Sequence, residues 1–65
     1  MIKISRSNQI VSSFVSEGYT LVFSALDGNF IKLRHRHNGN VITIYYKNNG
    51  FSFYKNGKFI KSEQI

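Results

Sequence analysis

Apolar and polar residues alternate along two segments in the middle of the chain, 30–36 and 41–47, which are separated by an Asn-Gly dipeptide at 38–39. Alternation with a period of two is typical of a half-buried β-strand, and Asn-Gly between two such segments favours a two-residue hairpin turn. A turn of that length pairs Leu33 with Ile44. Because paired residues share one face of a sheet, this hairpin is predicted to have one apolar face and one basic and aromatic face.

The segment before the hairpin has helical periodicity instead. Its apolar residues fall on one helical stripe between positions 8 and 17, at Ile10, Val11, Phe14 and Val15. Ser5 or Ser7 is the expected N-cap, and Gly18 stands where a glycine ends a helix. Residues 1–4 alternate, so they are either a short edge strand or an apolar lead-in to the helix.

Residues 19–25 are a further β-prone segment, joined to the hairpin through a turn at Asp27-Gly28. Two registers are open. A two-residue turn would place Phe23 on the same face as Lys32, whereas a three-residue loop with a glycine bulge would pair Phe23 with Ile31. The second register buries more apolar surface, so we expect it.

A second Asn-Gly dipeptide, Asn56-Gly57, predicts a closing hairpin. In its expected register Tyr54 faces Phe59 and Phe53 faces Ile60. The tail after Lys61 is expected to fray.

These segments predict an α+β fold, in which one N-terminal helix packs on a four- to five-stranded antiparallel β-meander, as a single domain over residues 1–65. The helical stripe is expected to cover the apolar face of the sheet. That face is predicted to consist of Leu21, Phe23, Ile31, Leu33, Ile42, Ile44, Phe51 and Phe53. One helix cannot cover the opposite face as well.

The composition narrows the possible functions. The chain has 65 residues, no cysteine and a net charge of +6, so disulfides and thiolate metal sites are excluded, and a polyanion such as nucleic acid is the expected partner class. The chain contains neither the ~18 consecutive apolar residues of a membrane span nor the apolar core of a signal peptide. We therefore expect no membrane partner and a cytoplasmic location, in the producing cell or in a host.

The uncovered sheet face carries the candidate site. Cations neutralise phosphates and aromatic rings stack on exposed bases, which suits single-stranded nucleic acid or RNA, while the hairpin could also enter a duplex groove as a β-ribbon. The same residue types are common on the solvated face of an ordinary one-sided sheet. The candidate residues for binding nucleic acid or a protein partner are Lys32, Arg34, Arg36, Tyr45, Lys47, Tyr54 and Lys61.

Metal binding and catalysis find little support in the residues. His35 and His37 would share one face of a strand, but no third ligand is evident. The three acids Glu17, Asp27 and Glu63 form no carboxylate pair. We expect no metal, no cofactor and no enzymatic activity.

Part of the chain resembles a known family. The features that carry the resemblance are a helix, Gly18-Tyr19-x-Leu21-Val22, a turn at Gly28, a strand ending in His35, and Val41-Ile42-Thr43-Ile44 after Asn38-Gly39. Over residues 7–46 the chain is similar to HicA-type toxins, small basic mRNA interferases with a double-stranded-RNA-binding-like fold. Where that family has Gly-Ser-His with its catalytic histidine, this chain has Gly28-Asn29-Phe30, and a hairpin replaces the closing helix. The resemblance implies an RNA-binding-like shape without the nuclease.

Three hypotheses follow. The leading one is a non-catalytic nucleic-acid-binding module that uses the outer face of the hairpin 30–47. The second is a small inhibitor or adaptor, encoded by a virus or mobile element, that binds a host enzyme. Its interface anchors would be the exposed aromatic residues Tyr45, Tyr54 and Phe59, together with Arg34 and Arg36. The third is a HicA-like ribonuclease toxin. An exposed edge strand could also pair two copies into a homodimer.

Overall fold

A computed structural model describes residues 2–25 and 27–64, which form one helix followed by five strands. The elements are α1 (Ile2–Ser16), β1 (Tyr19–Ser24), β2 (Phe30–His35), β3 (Val41–Lys47), β4 (Gly50–Lys55) and β5 (Lys58–Gln64). Each strand pairs antiparallel with the next, in the order β1-β2-β3-β4-β5. The α+β prediction of a helix followed by an antiparallel meander is therefore confirmed. Among these residues no helix is long and apolar enough to span a membrane.

The helix packs on one face of the sheet, which we call the inner face. Phe14 lies edge-on to Tyr19, with ring centroids 5.3 Å apart, and 6.4 Å from Phe53. At the other end of the helix, the Lys3 ammonium lies 4.5 Å from the ring centroid of Tyr46. These contacts cover the centre of the sheet and leave the opposite, outer face without a covering element among the described residues.

The helix begins earlier than its polar residues predict. It starts at Ile2, so Ser5 and Ser7 lie inside it and neither is the N-cap. Ser7 is only 7% exposed, because it lies one turn before Ile10 on the stripe that faces the sheet. The predicted end is confirmed, since Gly18 follows the helix with φ 101° and its N–H donates to the Val15 carbonyl at 3.1 Å.

The core is narrower than predicted. Its buried apolar residues are Ile10, Ile31, Leu33, Ile42, Ile44, Phe51 and Phe53, flanked by the half-buried Val11, Phe14, Tyr19 and Tyr46. Three predicted members are wrong: Val15, Leu21 and Phe23 are 47%, 42% and 54% exposed. The helix leaves Leu21 of the edge strand β1 uncovered, and Phe23 lies on the opposite face of the sheet, opposite Lys32.

The central hairpin has a longer loop than predicted. The pairs are Leu33 with Ile42 and Ile31 with Ile44, a shift of two residues from the two-residue-turn register. The strand ends at His35, whose N–H donates to the Asn40 carbonyl at 2.8 Å, so residues 36–39 form the loop. A shift of two leaves every side chain on its predicted face, because the side-chain period of a strand is two.

The edge strand β1 combines the two registers that the sequence left open. Leu21 pairs with Leu33, as the favoured register predicts, but Phe23 pairs with Lys32, as the rejected register predicts. The register changes at Val22, where a β-bulge adds one residue. Phe23 therefore lies on the outer face, and the prediction that it joins the core is wrong.

The other edge strand, β5, also contains a bulge. Asn56 and Gly57 have φ of 51° and 84°, which agrees with the predicted two-residue turn, and the Tyr54–Phe59 pair is confirmed. Beyond that pair Phe53 faces Lys61 instead of Ile60, because Ile60 is the added residue. The strand continues to Gln64, so the predicted fraying after Lys61 is wrong up to that residue, while Ile65 lies outside the described residues.

Candidate site on the outer face of the sheet

Five aromatic side chains cross the outer face in one continuous row, which we call the aromatic ladder. Its members come from the five strands in order: Phe23, Phe30, Tyr45, Tyr54 and Phe59. Successive ring centroids lie 5.9, 5.1, 5.6 and 5.6 Å apart. These separations fall within the range of favourable aromatic pairs, so each ring contacts the next.

Direct strand pairing explains two of the four contacts in the ladder. Phe30 is directly opposite Tyr45, and Tyr54 is directly opposite Phe59. The remaining two contacts are diagonal, since Phe23 is directly opposite Lys32 and Tyr45 is directly opposite Ser52. Diagonal neighbours on an antiparallel pair remain within reach of aromatic side chains.

Both ends of the ladder depend on a β-bulge. Without the extra residue Val22, regular alternation from Leu21 would turn Phe23 toward the helix. In the same way, the bulge at Ile60 allows Phe59 to lie outside while Lys61 lies inside. Bulges are frequent at sheet edges, where they redirect side chains. Here each edge strand uses one to supply an aromatic residue to the outer face.

The ladder is open to solvent, and most so at its ends. Phe23 and Phe59 are 54% and 59% exposed, and Tyr45 in the middle is 46% exposed. Phe30 and Tyr54 are half-buried. The planes of successive rings are inclined by 45° to 88°, so no two neighbouring rings are parallel.

Cations of β2 and β3 lie on the same face. Lys32 is opposite Phe23 and Thr43, Arg34 is opposite Thr20, and all these pairs point outward. Lys47 ends β3, and all three basic residues are exposed. The outer face therefore combines a row of aromatic rings with exposed basic side chains.

Acidic side chains lie elsewhere. Glu63 is on the inner face, where it accepts hydrogen bonds from Nε and Nη2 of Arg6, the second at 2.7 Å. These hydrogen bonds lower the pKa of Glu63 and raise that of Arg6. Asp27 accepts hydrogen bonds from Asn29 within the β1–β2 turn, both at 3.0 Å. No strand of the described chain therefore presents a carboxylate on the outer face.

Five of the seven predicted site residues lie on this face, namely Lys32, Arg34, Tyr45, Lys47 and Tyr54. Arg36 lies in the 36–39 loop and not on a strand, because β2 ends at His35. Lys61 is on the inner face, with its ammonium 4.9 Å from the ring centroid of Phe53. Its predicted position is wrong because of the bulge at Ile60.

Sequence reasoning missed two members of the ladder, Phe23 and Phe30. Phe30 could have been found, since it lies two residues from Lys32 on one strand and must share its face. Phe23 gave no such signal, because its position depends on the bulge.

A shallow depression of about 480 Å³ lies beside the middle of the ladder. Tyr45 and Tyr54 form its aromatic walls, the hydroxyls of Thr43 and Ser52 line it, and Lys47 lies at its margin. It has the elements needed to hold a planar polar ring: an apolar face, hydrogen-bonding groups and a cation.

Both ring nitrogens of His35 lie within hydrogen-bonding distance of backbone groups. His35 Nδ1 accepts the backbone N–H groups of His37 and Asn38 at 3.2 and 3.3 Å, and its Nε2 lies 3.2 Å from the Glu17 carbonyl. Since Nδ1 is an acceptor, the proton is on Nε2, which donates to that carbonyl. Within residues 2–25 and 27–64 no group of three His, Cys, Asp or Glu side chains could hold a metal ion.

Comparison of the chain with protein-family models, with curated proteins and with solved structures found no match.

Proposed function

We propose that this protein binds single-stranded nucleic acid on the outer face of its sheet. The observation that carries the proposal is the aromatic ladder with Lys32, Arg34 and Lys47 beside it. Exposed rings stack on unpaired bases, and the cations neutralise the phosphates that join them. Under this proposal the protein acts in the cytoplasm, either of the cell that produces it or of a host cell.

The geometry favours a single strand over a duplex. The ladder crosses five strands spaced ~4.8 Å apart, so its ends are separated by roughly 19 Å. Bases in a duplex are stacked on one another and cannot offer their faces to these rings, whereas splayed bases can. Each stacked base contributes ~1–3 kcal/mol, and three phosphate contacts predict a log–log salt slope of about −2 for a single strand.

The test is fluorescence anisotropy with labelled single-stranded DNA, single-stranded RNA and the matching duplexes at low salt. We expect single-stranded DNA and single-stranded RNA to bind more tightly than the duplexes, and we expect the affinity to fall as the salt concentration rises. Equal affinity for duplex and single strand would refute stacking as the mode of binding. No binding to any of these ligands at low salt would refute the function.

A second candidate is a protein-binding inhibitor or adaptor that acts on a host enzyme. It is favoured by the chemistry of the ladder, because three of its five rings are phenylalanine and charged residues border them. An apolar centre with a polar rim is the usual anatomy of a protein interface. A pulldown from nuclease-treated lysate separates the two: a stoichiometric protein that survives nuclease favours the inhibitor, and loss of all bound material favours nucleic acid.

The ribonuclease hypothesis predicts growth arrest on expression that His35→Ala relieves. Both ring nitrogens of His35 contact backbone groups, which supports a structural role for this side chain.

Homodimerisation would use β1. This edge strand carries no charged residue, whereas β5 carries Lys58, Lys61 and Glu63, and charges on an edge discourage pairing with another strand. A mass near twice that of the 7.5 kDa chain in light scattering would support the dimer, and the monomer mass at all concentrations would refute it.

A further inference from the structure

A second basic feature lies at the corner of the outer face where β2 enters the 36–39 loop. It is an open cleft of about 580 Å³, lined by Thr20, Arg34, Arg36, His37 and Asn38 among others. Arg34 and Arg36 approach the cleft from the strand and from the loop, respectively. The cleft is separate from the depression beside Tyr45 and Tyr54, with which it shares no lining residue.

The loop that carries Arg36 and His37 is held in place by His35. One nitrogen of the His35 ring accepts two backbone N–H groups of the loop, and the other donates to the carbonyl of Glu17. Tyr19 packs edge-on against the same ring, with centroids 4.9 Å apart. The ring therefore joins the loop to the end of the helix and fixes the wall of the cleft.

The two guanidinium groups have no counter-charge in the described chain. The ion pair found there joins Arg6 to Glu63 on the inner face. The Glu17 side chain lines a different groove, between the helix and β5, and Asp27 is hydrogen-bonded to Asn29. Two unpaired arginines in one cleft, with a hydroxyl and an amide beside them, match the bidentate recognition of a phosphate.

We propose that this cleft is a phosphate subsite, which takes a phosphate of a nucleotide flanking those stacked on the ladder. The proposal rests on the proposed function. Arg34 is four residues from Phe30 along β2, or about 13 Å at ~3.3 Å per residue, with Lys32 between them. Lys32 therefore lies where it would contact the phosphates of the stacked nucleotides. The cleft lies where it would contact the phosphate of the next nucleotide along the strand. That phosphate is either an internal diester or a terminal monoester, whose greater negative charge suits two arginines.

The first experiment uses inorganic phosphate alone. Amide and Arg side-chain NMR resonances are followed during titration with phosphate at constant ionic strength, for the native chain, Arg34→Gln/Arg36→Gln, and the charge-matched control Lys55→Gln/Lys58→Gln. We expect saturable shifts centred on Thr20, Arg34 and residues 36–38, which the arginine variant loses and the lysine variant keeps. Small shifts spread over all basic residues, unchanged in the arginine variant, would overturn the subsite.

The second experiment uses short single strands with a 5′-phosphate, a 3′-phosphate or no terminal phosphate. We expect the arginine variant to lose at least tenfold in affinity, and its salt slope to fall by about 0.7, which is the value for one phosphate neutralised on a single strand. The lysine variant should keep both. A gain from one terminal phosphate that only the arginine variant abolishes assigns a monoester, and equal losses for all three strands assign a diester.

The two proposals fail separately. If oligonucleotides bind but the arginine and lysine variants lose affinity equally, the subsite is refuted and the nucleic-acid function stands. If inorganic phosphate shifts the cleft in the expected pattern but no oligonucleotide binds, the subsite is supported and the proposed function is refuted.

Discussion

The end members of the aromatic ladder, Phe23 and Phe59, allow stacking to be separated from general surface hydrophobicity. Each is next to a bulge residue of the same strand that is apolar and similarly exposed: Val22 at 53% and Ile60 at 49%. Neither Val22 nor Ile60 belongs to the ladder. In separate variants, replacing each phenylalanine by leucine removes the ring and keeps most of the apolar surface, whereas replacing each bulge residue by threonine removes apolar surface but no ring and keeps a β-branched side chain.

The expected cost in folding stability is small for all four variants. Phe23 contacts one ladder ring, Phe30 at 5.9 Å, and Phe59 contacts one, Tyr54 at 5.6 Å. Losing one such pair costs about 0.5–1.5 kcal/mol, whereas a chain of this length has roughly 3–10 kcal/mol of stability. Every variant should therefore remain folded at room temperature, which far-UV circular dichroism and thermal melting check.

The expected effect on binding is large for only two variants. Loss of a stacked base costs about 1–3 kcal/mol, which corresponds to a roughly 5- to 150-fold weaker affinity at 1.4 kcal/mol per tenfold change. Phe23→Leu and Phe59→Leu should show this loss. Ile60→Thr should stay within about twofold, the size of an ordinary surface substitution of ~0.5 kcal/mol. Val22→Thr should do the same, because threonine keeps the shape of the valine, which lines the cleft beside Arg34 and Arg36.

Anisotropy titrations with one labelled single strand, long enough to cover the ladder, measure all four affinities under the same low salt. If the phenylalanine and bulge variants lose affinity equally, binding depends on surface hydrophobicity and the stacking argument is wrong. If none of the four changes affinity, the ladder is not the binding surface, even where nucleic acid binds elsewhere.

Two further predictions concern the fold. Gly18→Ala adds a Cβ only 2.9 Å from His35 Nε2 at a φ of +101°, so it should lower the free energy of unfolding in urea by ~1–3 kcal/mol. Gly39→Ala meets nothing within 4 Å, so it should lose less, and equal losses would contradict the steric argument. The hydrogen bonds from Arg6 lower the pKa of Glu63, so the stabilisation is present above the ordinary pKa of Glu63 and is lost as pH falls through its lowered value. Glu63→Gln should remove this acid-dependent part of stability, which is small because the pair is partly exposed, and an unchanged pH profile would contradict it.

Much of the fold follows from local rules. The Asn-Gly turn at 56–57 and the glycine that ends the helix are local signals, and both agree with the structure. The central hairpin shows how such rules can give a wrong register and still sort the faces correctly. Its loop is two residues longer than predicted because the His35 side chain closes it through hydrogen bonds to the backbone. A shift of two keeps Ile31 and Leu33 inside and Lys32 and Arg34 outside.

The edges of the sheet were not predictable in the same way. The choice between two registers for β1 assumed that the strand is regular and that burying Phe23 decides the outcome. The bulge at Val22 changes the register within the strand, so each register holds over part of β1. The predicted position of Lys61 is wrong for the same reason, because a bulge at Ile60 changes the register of β5. Edge strands tolerate an extra residue because only one neighbour constrains their pairing, so alternation is least reliable there.

The bulges also bear on why the ladder exists. Cross-strand aromatic pairs stabilise a sheet, and this is sufficient for Phe30, Tyr45 and Tyr54, each of which has a ring on both sides. The two end rings have one ring neighbour each and are more than half exposed, so they add little to stability and leave apolar surface in water. Both reach the outer face only through an irregularity in their strand. The stability of the sheet does not account for a surface that extends to both edges in this way, which supports the proposal that a ligand lies across all five strands.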